Sequence, residues 1–392
     1  MPESWLLPGG TNLFQDIKKA CTEAEISGQK LYRLSIGQPS GPALMSARVE
    51  ASRCVLCKDE CWHEYQDNGC LPIPDFAKRF VEAHLHHHRD LSVFGDQIAF
   101  LPIPGIKPMI PLVLLACKKA SGLLVGSMTD PGYPVPRTWA EYLGVEHCSL
   151  LTNTANGFCP PIDIGPFTLK MVNFPHNPSG QIATREYWRK LCGRCQETGV
   201  RLFNDGAYLL LAHDDRCCAL ADVAVEFPRL SWLEAYSASK AIANGTGWRV
   251  GAMAGSSDFI ADVARIKGNT DSGFFAPAAS GALYALENDL SGIGEVRKMY
   301  SDRLGILIPL LERLEMRLAV RPKAGFFSLW ESPKFAFGRE MTGAEDFNLT
   351  MIRETGIVGV HFGSYIRYAV CGPVENWREQ ISEAFASADV SY

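Results

Sequence analysis

The sequence lacks a long hydrophobic run, a basic surface, an export signal and a low-complexity linker. Its longest apolar candidate, residues 108–117, is far short of the roughly 20 residues a helix needs to cross a bilayer, so no membrane span is expected. There are 38 lysines and arginines against 43 aspartates and glutamates, a net charge of −5, and no long basic run. That balance argues against a nucleic-acid partner. The first ten residues have neither the basic start nor the apolar core of a signal peptide, so a cytoplasmic location is expected. No internal repeat is visible.

What is present is an ordinary globular composition, 47% hydrophobic over 392 residues. That length is too great for one small core, and two domains are expected. Thirteen cysteines stand out. The odd count, without an export signal, argues against a disulfide framework. Cys54, Cys57 and Cys61 are spaced as on one helix face, and Cys192 and Cys195 repeat the three-residue step. One helix face presents ligands in a row rather than tetrahedrally. Buried small hydrophobes are the expected role, and no metal site is assigned. His86, His87 and His88 would point in different directions on a helix, so they read as a solvated helix end.

Short apolar runs at 97–101, 122–128, 145–150, 169–173, 201–205, 230–237 and 250–255 predict strands. Helical patterns at 107–119, 136–142, 184–197 and 257–266 fall between most of them. Further helices are expected near 12–25, 43–58 and 73–87. This alternation predicts an α/β fold with a mainly parallel sheet covered by helices. Ligands sit at the carboxyl ends of such strands. Residues 277–314 read as helix with a break near Ser291-Gly292. The remainder reads as a small α+β unit, with strands near 325–330 and 366–371, that packs with the N-terminal segment and its short strand, 31–36.

The chemically suggestive residues fall at those strand ends. Tyr236 to Gly251 contains Lys240 among small residues, with Ser237 before it and Arg249 after it. Gly245 and Gly247 let the backbone approach a ligand closely. A lysine beside a planar cationic fork suits a covalently bound, phosphorylated aldehyde such as pyridoxal phosphate (PLP). A surface lysine in a flexible loop is the plain alternative. Ile106 and Lys107 start a helix whose free N–H groups can bind phosphate; an ordinary strand-to-helix turn would read the same. Tyr133, fixed in Asp130-Pro131-Gly132-Tyr133-Pro134, offers either a ring for stacking or a core tyrosine. Asn177 precedes a proline and can donate its amide to a phenolate oxygen, though turns use Asn-Pro often. Asp205 closes an apolar strand, where a buried carboxylate needs a partner. A protonated pyridine nitrogen is one such partner, and a capping role is the other reading. Tyr208 lies three residues on and can reach the same ring. Arg367 sits between apolar strand neighbours and needs an anion, either a substrate carboxylate or a glutamate. Gly37 lies in a turn-rich loop, and Tyr65 in a polar one.

Taken in order, these landmarks resemble the class I/II PLP-dependent aminotransferases, the fold-type-I family, over nearly the full length. The resemblance implies a large mixed, mainly parallel sheet domain plus a small α+β domain. It divides the chain into residues 1–40 (an N-terminal arm and part of the small domain), 41–280 (the PLP-binding domain) and 281–392 (a linker helix and the small domain). It implies that Lys240 forms a Schiff base with PLP and then acts as general base. Asp205 and Tyr208 would act with it. Tyr65, Ile106, Lys107, Tyr133, Asn177, Ser237 and Arg249 would also contact the cofactor, Tyr65 from across a homodimer interface. Gly37, Asn177 and Arg367 would hold the substrate. The implied reaction moves an amino group from an L-amino acid to a 2-oxo acid. Aspartate, alanine, aromatic amino acids and diaminopimelate are all admitted as donors. A PLP lyase of the same fold would keep most of these residues. One feature departs from the family pattern: Arg249 lies nine residues after Lys240 rather than eight.

Overall fold

The computed structural model describes residues 13–85, 90–118, 122–163 and 165–392. His86, His87 and His88 lie outside the described residues. Seven strands form the large sheet. They are β1 (Ile98–Ile103), β2 (Leu124–Ser127), β3 (Glu146–Ser149), β4 (Leu169–Val172), β5 (Arg201–Asp205), β6 (Trp232–Ser237) and β7 (Gly251–Ser256). Their order is β1-β7-β6-β5-β4-β2-β3. Each of the seven apolar runs read from the sequence coincides with one of these strands. The pairs among β2 to β6 are parallel, while β7 runs antiparallel to both β1 and β6.

Except at the edge strand β3, whose residues are exposed or half-buried, both faces of this sheet are buried, which is why its strands read as continuous apolar runs. Adjacent residues point to opposite faces. Leu202 and Trp232 accordingly enter one core cluster, while Phe203 and Leu233 enter another. Among the covering helices, Arg185–Thr198 shows why an element starts and stops where it does. The Thr184 hydroxyl accepts from the Tyr187 N–H at its start. Gly199, at φ +72°, ends it in the left-handed conformation that glycine adopts freely. Cys192 and Cys195 are buried on this helix. Cys54, Cys57 and Cys61 do not share a helix face, because the helix Met45–Val55 ends before Cys57.

The second sheet has four strands: β8 (Leu318–Val320), β9 (Phe327–Glu331), β10 (Val360–Phe362) and β11 (Tyr365–Ala369), ordered β10-β11-β9-β8. The N-terminal segment joins it. The expected strand at 31–36 is only Tyr32–Arg33, paired with Ile357–Val358, and the Ala369 N–H then donates to the Leu34 carbonyl at 2.6 Å. Two helices, Ala276–Asn288 and Leu290–Glu312, lie between the sheets in sequence. Their break is at Asp289, not at Ser291-Gly292. The Asp289 carboxylate accepts from the Gly292 N–H at 3.0 Å, so the glycine belongs to the first turn that this cap stabilises.

Candidate active site

The carboxyl ends of β1, β2, β4, β5 and β6 share one edge of the large sheet. The antiparallel β7 starts at that same edge, so the residue just before it, Arg249, arrives there too. A cavity of about 610 Å³ opens at this edge toward β9 and β11. Gly37, Ile106, Lys107, Tyr133, Asn177, Asp205, Tyr208, Ser237, Lys240, Arg249 and Arg367 all line it. Tyr65 does not. Its side chain is 79% exposed on a separate loop.

Lys240 lies in the single-turn helix Ala238–Ala241, directly after β6. The Ser237 hydroxyl caps that turn by accepting from the Ser239 N–H at 3.1 Å, and it donates to the Ser239 hydroxyl at 2.9 Å. Burial pushes the Lys240 ammonium below the usual lysine range. The Asp205 carboxylate works against that shift and Arg249 adds to it. The amine sits 5.8 Å from the centre of the Tyr208 ring. Tyr208 is itself buried edge-on against Phe326 and Phe327.

Asp205 is the last residue of β5. One carboxylate oxygen accepts from the Ala207 N–H at 3.1 Å. Burial raises the carboxyl to about 6, against the pull of that hydrogen bond and of Lys240. Asn173 fixes the neighbouring backbone. Its amide donates to the Asp205 carbonyl at 2.8 Å, and its side-chain oxygen accepts from the Asn177 N–H at 2.9 Å. Asn177 in turn accepts from Arg367 Nη1 at 2.8 Å.

Arg367 is 4% exposed on β11. Its Nη2 donates to the Ser35 carbonyl at 2.8 Å, and its guanidinium lies 4.2 Å from the centre of the Phe327 ring. Its Nε is buried with no hydrogen-bond partner among the described residues. Burial lowers its pKa to about 10. The internal glutamate that could have explained this arginine is not among its hydrogen-bond partners. Gly37 belongs here for a steric reason: a Cβ on it would come within 3.1 Å of Phe327 Cζ.

The Lys240–Arg249 spacing is accommodated by the backbone. Ala243 and Arg249 take left-handed conformations on either side of the short 3₁₀ turn Thr246–Trp248. The Arg249 guanidinium then reaches 3.5 Å from the Ser239 hydroxyl and lies across Gly105, where a Cβ would fall 2.2 Å from Nη2. Ser239, one of the small residues before Lys240, also lines the cavity, as do Asn173, Phe327 and Phe362, which were not singled out from the sequence. Asn173 could have been, as a polar residue ending a buried strand. Phe327 and Phe362 are apolar strand residues with no local signal.

The family model described as aminotransferase class I and II matches residues 34–379. An LL-diaminopimelate aminotransferase 2 of Nostoc sp. is 31% identical over 390 residues, covering 94% of this chain and 94% of that protein. The LL-diaminopimelate aminotransferase of Methanocaldococcus jannaschii is 29% identical, covering 91% of this chain and 85% of that one. Among solved structures, an aminotransferase from Mycobacterium tuberculosis superposes with a TM-score of 0.83 at 20% identity, over 99% of each chain. A Thermus thermophilus aspartate aminotransferase variant gives the same TM-score at 20% identity, over 98% of this chain and 99% of that one.

Proposed function

Because the chain belongs to the class I and II aminotransferases, PLP-dependent transaminases of fold type I, we propose that its cavity is the transamination site, with Lys240 as the covalent anchor and proton carrier. The observation that carries this assignment is the convergence of Lys240, Asp205, Arg249 and Arg367 on one cavity. The residues present suit the cofactor. Arg249 and Lys107, with the Ser237 and Ser239 hydroxyls and the start of the 107–117 helical segment, offer donors for a phosphate. Tyr133 offers a ring face. Asp205 offers a desolvated carboxylate for a pyridinium, and Tyr208 and Asn177 offer donors for the ring hydroxyl.

When bound, PLP supplies an aldehyde that takes up an amino group and a ring that withdraws electrons from the substrate Cα. The chain's residues supply the rest. Arg367, which lines the cavity, binds the substrate carboxylate. Phe327 backs the guanidinium, so the carboxylate is held in one plane. Once the substrate's amine has taken its place, Lys240 takes the proton from Cα. Its lowered pKa favours the neutral amine, which is the form able to accept a proton. Asp205 holds positive charge on the ring nitrogen.

The same proposal includes a cytoplasmic homodimer with the site at the subunit interface. Met45 and Val49, four residues apart on the helix Met45–Val55, are both exposed and apolar, as on a helix face that would meet a partner. It also carries the division at residues 40 and 280, and Tyr65 as a donor to the partner's phosphate. L-Amino acids and 2-oxo acids are its substrates. LL-Diaminopimelate, after which the two relatives are named, is the first donor to assay. The deciding experiment is Lys240→Ala. Loss of the visible cofactor band and a fall in turnover of about 10⁴-fold or more are expected. Turnover within tenfold of the wild type would refute the assignment.

A further inference from the structure

Lys267 and Lys170 are both fully buried lysines, and Lys267 has no place in the chemistry above. It ends the helix Ser257–Lys267, and its side chain is 0% exposed. Its ammonium donates to the Asp67 carbonyl at 3.0 Å and to Asp271 Oδ1 at 2.7 Å. The same Asp271 oxygen accepts from the Gly273 N–H at 2.8 Å. The backbone repeats the connection, since the Gln66 and Asp67 N–H groups both donate to the Ser272 carbonyl, at 3.1 and 3.0 Å. Gly273 makes this approach possible. It sits at φ +98°, and a Cβ there would fall 2.8 Å from the Asp67 nitrogen. Gln66 is buried, with its amide donating to the Cys61 and Glu64 carbonyls and its oxygen accepting from the Leu71 N–H.

Burying an ammonium is costly unless it is paired and hydrogen-bonded. Here that cost is met to fix a short surface loop. The loop is anchored at Gln66 and Asp67, yet the ring of Tyr65, one residue earlier, stands out in solvent. A side chain held rigid at its root and free at its tip is pre-organised for a contact outside its own subunit. We propose that Lys267 is a positioning residue. It locks the loop bearing Tyr65 onto the 267–273 turn, so that the tyrosine enters the partner's phosphate site as part of a rigid unit. This rests on the reading of Tyr65 given above.

A double-substitution cycle on the dimeric holoenzyme tests it, with the PLP dissociation constant as the readout. Tyr65→Phe and Lys267→Met should each weaken PLP binding by about tenfold, the loss of one hydrogen bond to a charged group. The double variant should also be about tenfold weaker, because both changes remove the same contact. A hundredfold loss in the double variant would overturn the proposal, since Lys267 would then act independently of Tyr65. An unchanged constant in Lys267→Met would overturn it too. An unchanged constant in Tyr65→Phe would overturn it from the other side, through the tyrosine's role, while leaving the Lys240 assignment intact. If Lys267→Met fails to give a dimer, Asp271→Asn, which keeps an oxygen acceptor, takes its place in the cycle under the same criteria.

Discussion

The cavity's two arginines are held in contrasting ways. Arg249 is exposed, on a loop, with a left-handed backbone, and its guanidinium lies across a glycine. Arg367 is buried on a strand, with both Nη atoms bonded and an aromatic ring beside it. An exposed cation loses little solvation and can adjust to a phosphate that arrives once and stays. A buried cation is desolvated in advance and cannot move far. It discriminates by geometry, and it makes an incoming carboxylate interact strongly in a low-dielectric site. Under the proposed roles, with Arg367 on the substrate and Arg249 on the phosphate, rigidity is placed where substrate is bound and released at every turnover, and the cofactor end is built largely from loops.

The largest expected effect tests the buried side of this contrast. Arg367→Met should lower kcat/KM by about 10³-fold, the ~4 kcal/mol typical of a buried charge pair losing a partner. The PLP dissociation constant should stay within about threefold of the wild type. If cofactor binding fell in parallel, the two arginines would not be doing separate jobs. The converse substitution is Arg249→Gln. It should weaken PLP binding by about 10–100-fold, the range for one charge-assisted hydrogen bond, while kcat/KM at saturating PLP changes by about threefold or less. Equilibrium dialysis and steady-state kinetics on both variants give the full comparison.

The contrast also explains what could be read in advance. The large sheet was legible because most of its strands are buried on both faces and end in polar residues. Asp205 closes an apolar run, and Lys240 and Asn177 lie in the short segments just beyond two others, so their place near the strand ends could be inferred from position alone. The Arg249 reach was not legible, because it depends on left-handed turns at Ala243 and at Arg249 itself that no residue type announces. Nor was the setting of Arg367. Its supports, Asn177, Ser35 and Phe327, come from three distant parts of the chain. The helix break was misplaced for a local reason. Gly292 looked like a breaker, yet it is the residue whose N–H the Asp289 cap requires.

A further effect concerns Asp205, the carboxylate that shares the cavity with both arginines. In the apo protein its pKa is raised to about 6 by burial, above the ordinary 3.8. Between about pH 4 and pH 6 the folded protein therefore binds the Asp205 proton while the unfolded chain has released it. Stability rises with pH only where the unfolded state holds more protons, so this group makes the apo protein less stable as pH increases across that window. The expected loss is about 1–3 kcal/mol. Glu234 is raised to about 6 as well, within its own hydrogen bonds to Tyr236, Asn204 and two backbone N–H groups. The informative quantity is thus the difference between the wild type and Asp205→Asn, measured by urea unfolding at each pH. Apo Asp205→Asn should hold its stability better than wild type as pH rises from 4 to 6. With PLP added, the order should reverse near pH 7, because the wild-type carboxylate then has its cation. An apo difference that does not change with pH would mean that Asp205 is ionised at no cost. The cavity would then not be the desolvated site that the setting of Arg367 implies.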